Sequence, residues 1–237
     1  HRLPLFGCGT GEMTRRLARA GYDMIGIDLS EEMLDIARYE HEEEEQDILY
    51  LNQDMREFEL YGTVAAVVSV CDSMNYITSE EEILKVFRLV NNYLDADGIF
   101  IFVMNTIYKY DTQLAERVIS ENREECSLIW ENYYDKETHL NEYDITIYTK
   151  AEFEEEEEEL PPLFERIEET HLQKAYQTDT VIALLEEAGM EFVAVYGAGT
   201  RKAPEPDCER IYFIAREKHQ EQKYYGAGQE VGLKDRD

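Results

Sequence analysis

Five residues near the start of the chain, Gly7-Cys8-Gly9-Thr10-Gly11, have the composition and spacing to hold a nucleotide-like ligand. They follow a short apolar run, Leu3 to Phe6, and lead into a helical pattern over Glu12 to Ala20. Missing Cβ atoms let such a turn approach a ligand closely, and the helix that follows offers unpaired N–H groups to an acceptor. A dinucleotide fingerprint of the form G-x-G-x-x-G needs a third glycine at position 12, where this chain has Glu12. The spacing is G-x-G-x-G instead. A second apolar run, Tyr22 to Ile27, closes on an acid, Asp28, seventeen residues after Gly11.

Together these stretches resemble the class I S-adenosylmethionine (SAM) dependent methyltransferases, small-molecule type with an inserted antiparallel lobe. The resemblance covers residues 3–105 and resumes over 178–216. It implies SAM as cofactor and S-adenosylhomocysteine as product. By the same resemblance Gly7, Cys8, Gly9, Thr10 and Gly11 form the cofactor loop, Leu29 is a further cofactor contact, and Asp28 meets the ribose, whose diol suits two acceptor oxygens. Asn52-Gln53-Asp54-Met55 resembles the adenine turn, with Asp54 and Met55 as contacts and the Asp54 carboxylate taking the exocyclic amine. Ser69 to Tyr76, including Cys71 and Asp72, resembles the lining of the methyl-transfer site. Transfer from a sulfonium is one in-line displacement, so alignment and a dry site matter more than a triad. A base is needed only where the acceptor starts protonated. Candidates for that role, or for gripping the acceptor, are Asp72, Asn75, Tyr76, Asn105, Tyr108, Trp130, Tyr134, His139 and His171; a histidine or tyrosine on a half-exposed strand also serves simply as packing.

Apolar and polar residues alternate along the chain at the periods of the elements that must position these groups. Glu12 to Ala20 reads as a helix with Met13, Leu17 and Ala20 inward and Gly21 as its stop. Ser30 caps a helix through about Tyr39 with Met33, Leu34 and Ala37 inward. Strands are expected at Tyr22–Asp28, Ile48–Asn52, Val64–Val70 and Ile99–Met104. Ser79-Glu80-Glu81-Glu82 has the form of a capping box, and Ile83, Phe87, Val90 and Leu94 recur at helical spacing until Asp97-Gly98. Thr178 is expected to cap a helix ended by Gly189, followed by strands Met190–Tyr196 and Arg210–Ala215. The fold class is therefore α/β: a doubly wound, mostly parallel Rossmann-like sheet with an antiparallel C-terminal hairpin. Residues 106–177 depart from this pattern. Ser127–Tyr134, Leu140–Thr149 and Phe164–Gln173 alternate as antiparallel strands do, and form an inserted β lobe expected to act as a substrate lid. Glu154–Glu159 and Pro161-Pro162 read as an exposed connection, and Glu217–Asp237 as a flexible tail.

The formal net charge is −30, and two glutamate runs, 42–45 and 154–159, supply ten of the acids. That charge repels phosphate backbones, which makes nucleic acid an improbable partner and favours a small-molecule acceptor. A protein or RNA acceptor is the alternative. The four cysteines show no metal-ligand spacing, so no metal is expected; the thiols fit a reducing, cytoplasmic setting, and no apolar stretch is long enough to span a membrane. Only six residues precede Gly7, with Pro4 where a central strand belongs and Leu5 where the family has an acid. The start therefore reads as shortened or altered, and predicts weakened cofactor binding or a non-catalytic SAM-binding relative. Oligomeric state is not encoded in any of these features.

Overall fold

The computed structural model describes residues 2–42, 47–151, 163–218, 222–224 and 230–232. Its centre is a seven-stranded sheet. In chain order the first half runs β1 (Arg2–Phe6), α1 (Glu12–Arg19), β2 (Asp23–Asp28), α2 (Glu31–Glu42), β3 (Leu49–Asn52), β4 (Val64–Ser69), α3 (Glu80–Tyr93) and β5 (Leu94–Asn105). Four antiparallel strands follow, β6 (Val118–Asn122), β7 (Cys126–Tyr134), β8 (Leu140–Lys150) and β9 (Phe164–Lys174). The chain then returns through α4 (Thr178–Glu187), β10 (Met190–Gly197) and β11 (Arg210–Glu217). The central order is β10-β11-β5-β4-β1-β2-β3; β1 to β5 are parallel, and β10 and β11 are antiparallel. Strand order reverses between β1 and β4. Open α/β sheets bind ligands at the carboxyl ends beside such a crevice.

Period-two alternation splits the strands between two cores. Phe6, Ile25 and Ile27 face α3 and α4, where Phe87, Phe100, Phe102 and Phe213 stack at centroid separations of 4.6–5.9 Å. Their neighbours Leu5 and Met24 face the opposite side, with Leu34 and Ala37 of α2. Ser30 caps α2 through its Oγ, which accepts from the Met33 N–H at 3.2 Å, and Ser79 caps α3 by accepting from the Glu82 N–H at 3.1 Å.

Several sequence expectations are corrected. Pro4 does lie in a central strand; the ladder to β4 involves only Leu5 and Phe6, so the proline sits beyond the doubly flanked stretch. In α1 the buried residues are Thr14 and Arg15, whereas Met13 is 41% exposed, because the Arg15 guanidinium turns back to donate to the Thr10 carbonyl at 2.8 Å. Met33 is also exposed. Helix α3 ends at Tyr93, before Asp97-Gly98, and those two residues form a kink inside β5, where Asp97 takes a φ of 62°. Gln177, not Thr178, occupies the cap position of α4. Strand β6 was not expected; its exposed face carries little apolar signal. Glu217, placed in the tail from the sequence, is the buried last residue of β11 and accepts from the Asp97 N–H at 3.2 Å. Beyond it, β12 (Gln222–Tyr224) and β13 (Glu230–Gly232) pair as an antiparallel ribbon, so that segment is not wholly a loose tail. Residues 154–159 and 161–162 lie outside the described residues, as do 43–45 of the first glutamate run.

Candidate functional site

The Gly-rich loop leaves β1 at the strand-order reversal and is shaped by backbone conformations that side chains disfavour. Gly7 and Gly11 have φ of 62° and 78°. A Cβ on Gly7 would run into the Ser73 side chain, and one on Gly11 would sit 2.5 Å from the Tyr50 hydroxyl. The loop closes on itself through Gly11 N–H to the Cys8 carbonyl at 3.0 Å and starts α1 through Arg15 N–H to the Gly11 carbonyl at 2.8 Å. Asp28, at the end of β2, ties it from the side: Oδ2 accepts from the Gly9 N–H at 2.7 Å and Oδ1 from the Ser30 N–H at 3.0 Å. One carboxylate thus joins the loop to the start of α2. Each of its oxygens retains a further lone pair for a ligand.

A cavity of about 640 Å³ opens against this frame. Phe6, Gly7, Gly9 and Ile27 form its base, and Asp28, Leu29, Ser30 and Met33 one wall. Gln53, Asp54, Met55 and Arg56 line it too, as do Ser73, Tyr76 and Ile77 and, from the antiparallel sheet, His171. Of the sequence-assigned cofactor residues, the cavity therefore gathers Gly7, Gly9, Asp28, Leu29, Asp54 and Met55. The others lie outside its lining. Cys8 points into the second core, and burial together with the Asp28 charge pushes its thiol up to about 12, so it stays protonated. Thr10 offers its carbonyl to Arg15, Gly11 packs on Tyr50, and Cys71 is exposed at a φ of 64° away from the cavity lining. Asp72 is held by Asn105 Nδ2 at 3.3 Å and Gln173 Nε2 at 2.8 Å.

Asp54 is not a bare acceptor. Arg56 donates to both of its oxygens through Nε, at 3.0 Å each, and the Arg56 N–H reaches Oδ1 at 2.8 Å. Those hydrogen bonds hold the Asp54 carboxyl below its ordinary pKa. Arg56 also reaches Glu82 Oε1 at 2.9 Å, which anchors the wall to α3.

The acceptor-side candidates separate into three groups. Tyr76 and His171 line the cavity and touch each other, Tyr76 Oη lying 3.0 Å from His171 Nδ1. Asn75 and Asn105 are fully buried and structural: Asn75 Nδ2 donates to the carbonyls of Lys174 at 2.8 Å and Asn105 at 3.3 Å, while its Oδ1 accepts from the Asn105 N–H at 2.8 Å. Tyr134 and His139 bond each other at 2.9 Å, outside the cavity lining, as does Tyr108 with Gln113. Trp130 does not reach the lining but packs at 5.0 Å on Tyr143, which in turn lies flat on His171 at 4.9 Å and 14°. Tyr143, Gln173 and Arg56 were missed from the sequence. For the first two a signal existed: cross-strand partners Tyr143 and His171, and Asn141 and Gln173, are spaced by two along β8 and β9 and so share one face.

The same bonds fix the antiparallel sheet on the central one. Gln173 and Lys174 at the end of β9 are gripped by Asp72, Asn75 and Tyr110, whose hydroxyl donates to Gln173 Oε1 at 2.7 Å. Among the described residues no group of three or more histidine, cysteine or acidic side chains has the arrangement to hold a metal ion, and no helix is long and apolar enough to cross a membrane.

Comparison with known proteins agrees with this geometry. A family profile described as a methyltransferase domain matches residues 5–98. A methyltransferase of Geobacillus sp. (strain WCH70) is 33% identical over 210 residues, covering 89% of this chain and 82% of that protein. A SAM-dependent methyltransferase from Clostridium acetobutylicum superposes with a TM-score of 0.80 at 23% identity, covering 91% of this chain and 83% of the other. SAM-bound CalS10 of Micromonospora echinaspora, an amino pentose methyltransferase, superposes with a TM-score of 0.67 at 17% identity, covering 92% and 83%. The glycine loop, the Asp28 tether and the strand-order reversal thus coincide with a shared sequence and a shared fold, and the chain belongs to the class I SAM-dependent methyltransferases.

Proposed function

We propose that the chain transfers the methyl group of SAM to a small-molecule acceptor enclosed between the carboxyl edge of the central sheet and the antiparallel sheet. One observation carries this reading: a single cavity is lined on one side by the glycine loop and Asp28 and on the other by Tyr76 and His171. The residues fit the cofactor. Gly7 and Gly9 present bare backbone to the cavity, Asp28 keeps lone pairs for a diol, and Leu29, Met33, Met55 and Ile77 offer an apolar slot for a flat base. When bound, SAM supplies a methyl carbon made electrophilic by its sulfonium. The chain's own residues then orient the acceptor, exclude water and hold protons.

A small acceptor is supported by the cavity's volume of about 640 Å³ and by the −30 charge, which opposes a nucleic-acid partner. The amino-sugar substrate of the structural neighbour CalS10 points the same way. The buried ties of β9 to Asp72, Asn75 and Tyr110 suggest that the inserted sheet, residues 106–177, is a fixed wall of the pocket more than a swinging lid. Incubating the purified chain with methyl-labelled SAM and, separately, a small-molecule extract, cell protein and RNA tests the assignment. Label in the small-molecule fraction alone is the expected result. Label in protein or RNA alone would transfer the assignment to a macromolecular acceptor, and SAM binding without any transfer would favour a non-catalytic relative.

A further inference from the structure

The hydrogen bonds on the acceptor side of the cavity form a chain with a direction. Glu169 Oε2 lies 3.1 Å from His171 Nε2, His171 Nδ1 lies 3.0 Å from Tyr76 Oη, and Tyr76 Oη lies 2.6 Å from Tyr143 Oη. An ionised carboxylate only accepts, so Glu169 draws the ring proton to Nε2. Nδ1 is then the open acceptor, and the Tyr76 O–H must donate to it. Tyr143 donates in turn to Tyr76. That leaves Tyr76 Oη, on the cavity wall, with a second lone pair, beside which the donor in the chain is the Gln173 side-chain amide, itself bound to Asp72 Oδ2 at 2.8 Å. Stacking of Tyr143 on His171 holds the imidazole plane in register. Burial raises both tyrosine hydroxyls above their ordinary pKa, Tyr143 the more strongly, which keeps them as proton carriers and not as anions.

Charge around this relay is lopsided. Glu169 and Asp72 are the carboxylates nearest it, and Asp28 and Asp54 line the cavity beyond. The cation among the lining residues, Arg56, pairs with both Asp54 and Glu82, so Asp54 is not an open charge but the three groups together still carry a net negative charge. Such a cavity favours a positively charged guest.

Building on the function proposed above, we infer that Tyr76, His171 and Glu169 form a proton relay that deprotonates the acceptor, and that the acceptor is a small molecule carrying a protonated amine. The ammonium N–H proton passes to Tyr76 Oη as the Tyr76 proton passes to His171 Nδ1, and Glu169 faces the imidazolium so formed. The freed nitrogen lone pair forms the new N–C bond to the methyl carbon while the C–S bond breaks and its electron pair stays on sulfur. The His171 proton is afterwards lost to water. Atoms and charge balance without a further reagent.

The test has an arm that needs neither cofactor nor acceptor. Long-range ¹H–¹⁵N NMR of the ¹⁵N-histidine-labelled chain at pH 8.5, where an ordinary imidazole is neutral, should show His171 protonated at Nε2 and bare at Nδ1. A ring protonated at Nδ1 would overturn the relay, because it could not receive the Tyr76 proton. In the second arm, labelled transfer into a small-molecule extract is compared among wild type, His171→Gln, Tyr76→Phe and the exposed control Tyr61→Phe. The first two variants should lose about 100-fold or more in rate, with SAM affinity by calorimetry and the melting profile unchanged, and Tyr61→Phe should match wild type. His171→Gln within about threefold of wild type would contradict the relay. Labelled product should be retained on a cation exchanger; label found only in uncharged or anionic product would overturn the amine. A chain that binds no SAM fails the underlying function instead, and the NMR arm still decides the relay.

Discussion

At the scale of single residues, Asp28 carries two tasks with one carboxylate: it fastens the loop through Gly9 and the start of α2 through Ser30, and it presents its remaining lone pairs to the cavity. Asp28→Ala should therefore weaken SAM binding about tenfold or more, since a charge-assisted hydrogen bond is worth roughly 1.5–3 kcal/mol, while Asp28→Asn should recover part of the loss. Titration calorimetry of both variants, with a folded far-UV spectrum as control, checks this. Asp54 makes a prediction about pH. Its folded pKa is lowered by Arg56, so the pair's stability is present above the ordinary aspartate pKa and is lost as pH falls through the lower folded value. Asp54→Asn should accordingly melt below wild type at pH 7, with the gap closing as pH falls below the ordinary aspartate range; a gap independent of pH would deny the ion pair its role. The sequence made Asp28 and the loop legible because glycine spacing and the end of an apolar run are local signals. It could not show that Arg56 occupies Asp54, because a side chain's choice of partner is decided by three-dimensional packing.

At the scale of elements, the parallel strands and their helices were readable from period: Ile83, Phe87, Val90 and Leu94 recur at helical spacing and all are fully buried. Errors fell where one residue does something its type does not advertise. Arg15 is buried because a loop carbonyl needs its donor, and Pro4 sits in a central strand because it lies beyond the stretch paired to β4, flanked there by β2 alone. The seam between the two sheets was invisible to pattern reading, since it is built from amides: Asn75 spans from Asn105 to Lys174, and Asn132 and Asn141 exchange hydrogen bonds at 2.9 Å each within the antiparallel sheet. Asn75→Ala would strand the Lys174 carbonyl and the Asn105 N–H in a buried setting. A loss of about 2–4 kcal/mol is expected in urea unfolding, together with faster amide exchange along β9. A variant that loses stability without any change in β9 exchange would show that Asn75 does not hold the seam.

At the scale of the whole molecule, the order reversal between β1 and β4 sets one crevice, the glycine loop and Asp28 furnish its cofactor side, and β9 brings His171 to close it. The sequence revealed the class of this architecture, and its charge pointed away from nucleic acid. It did not reveal that Tyr76 and His171, 95 positions apart, meet across the seam, because only the docking of the antiparallel sheet brings them together. Calorimetric titration of the purified chain with SAM and with S-adenosylhomocysteine tests the central claim most directly. Binding of both at micromolar Kd or tighter, weakened about tenfold or more by Asp28→Ala, is the predicted result; no binding heat from a folded chain, at several temperatures, would contradict it.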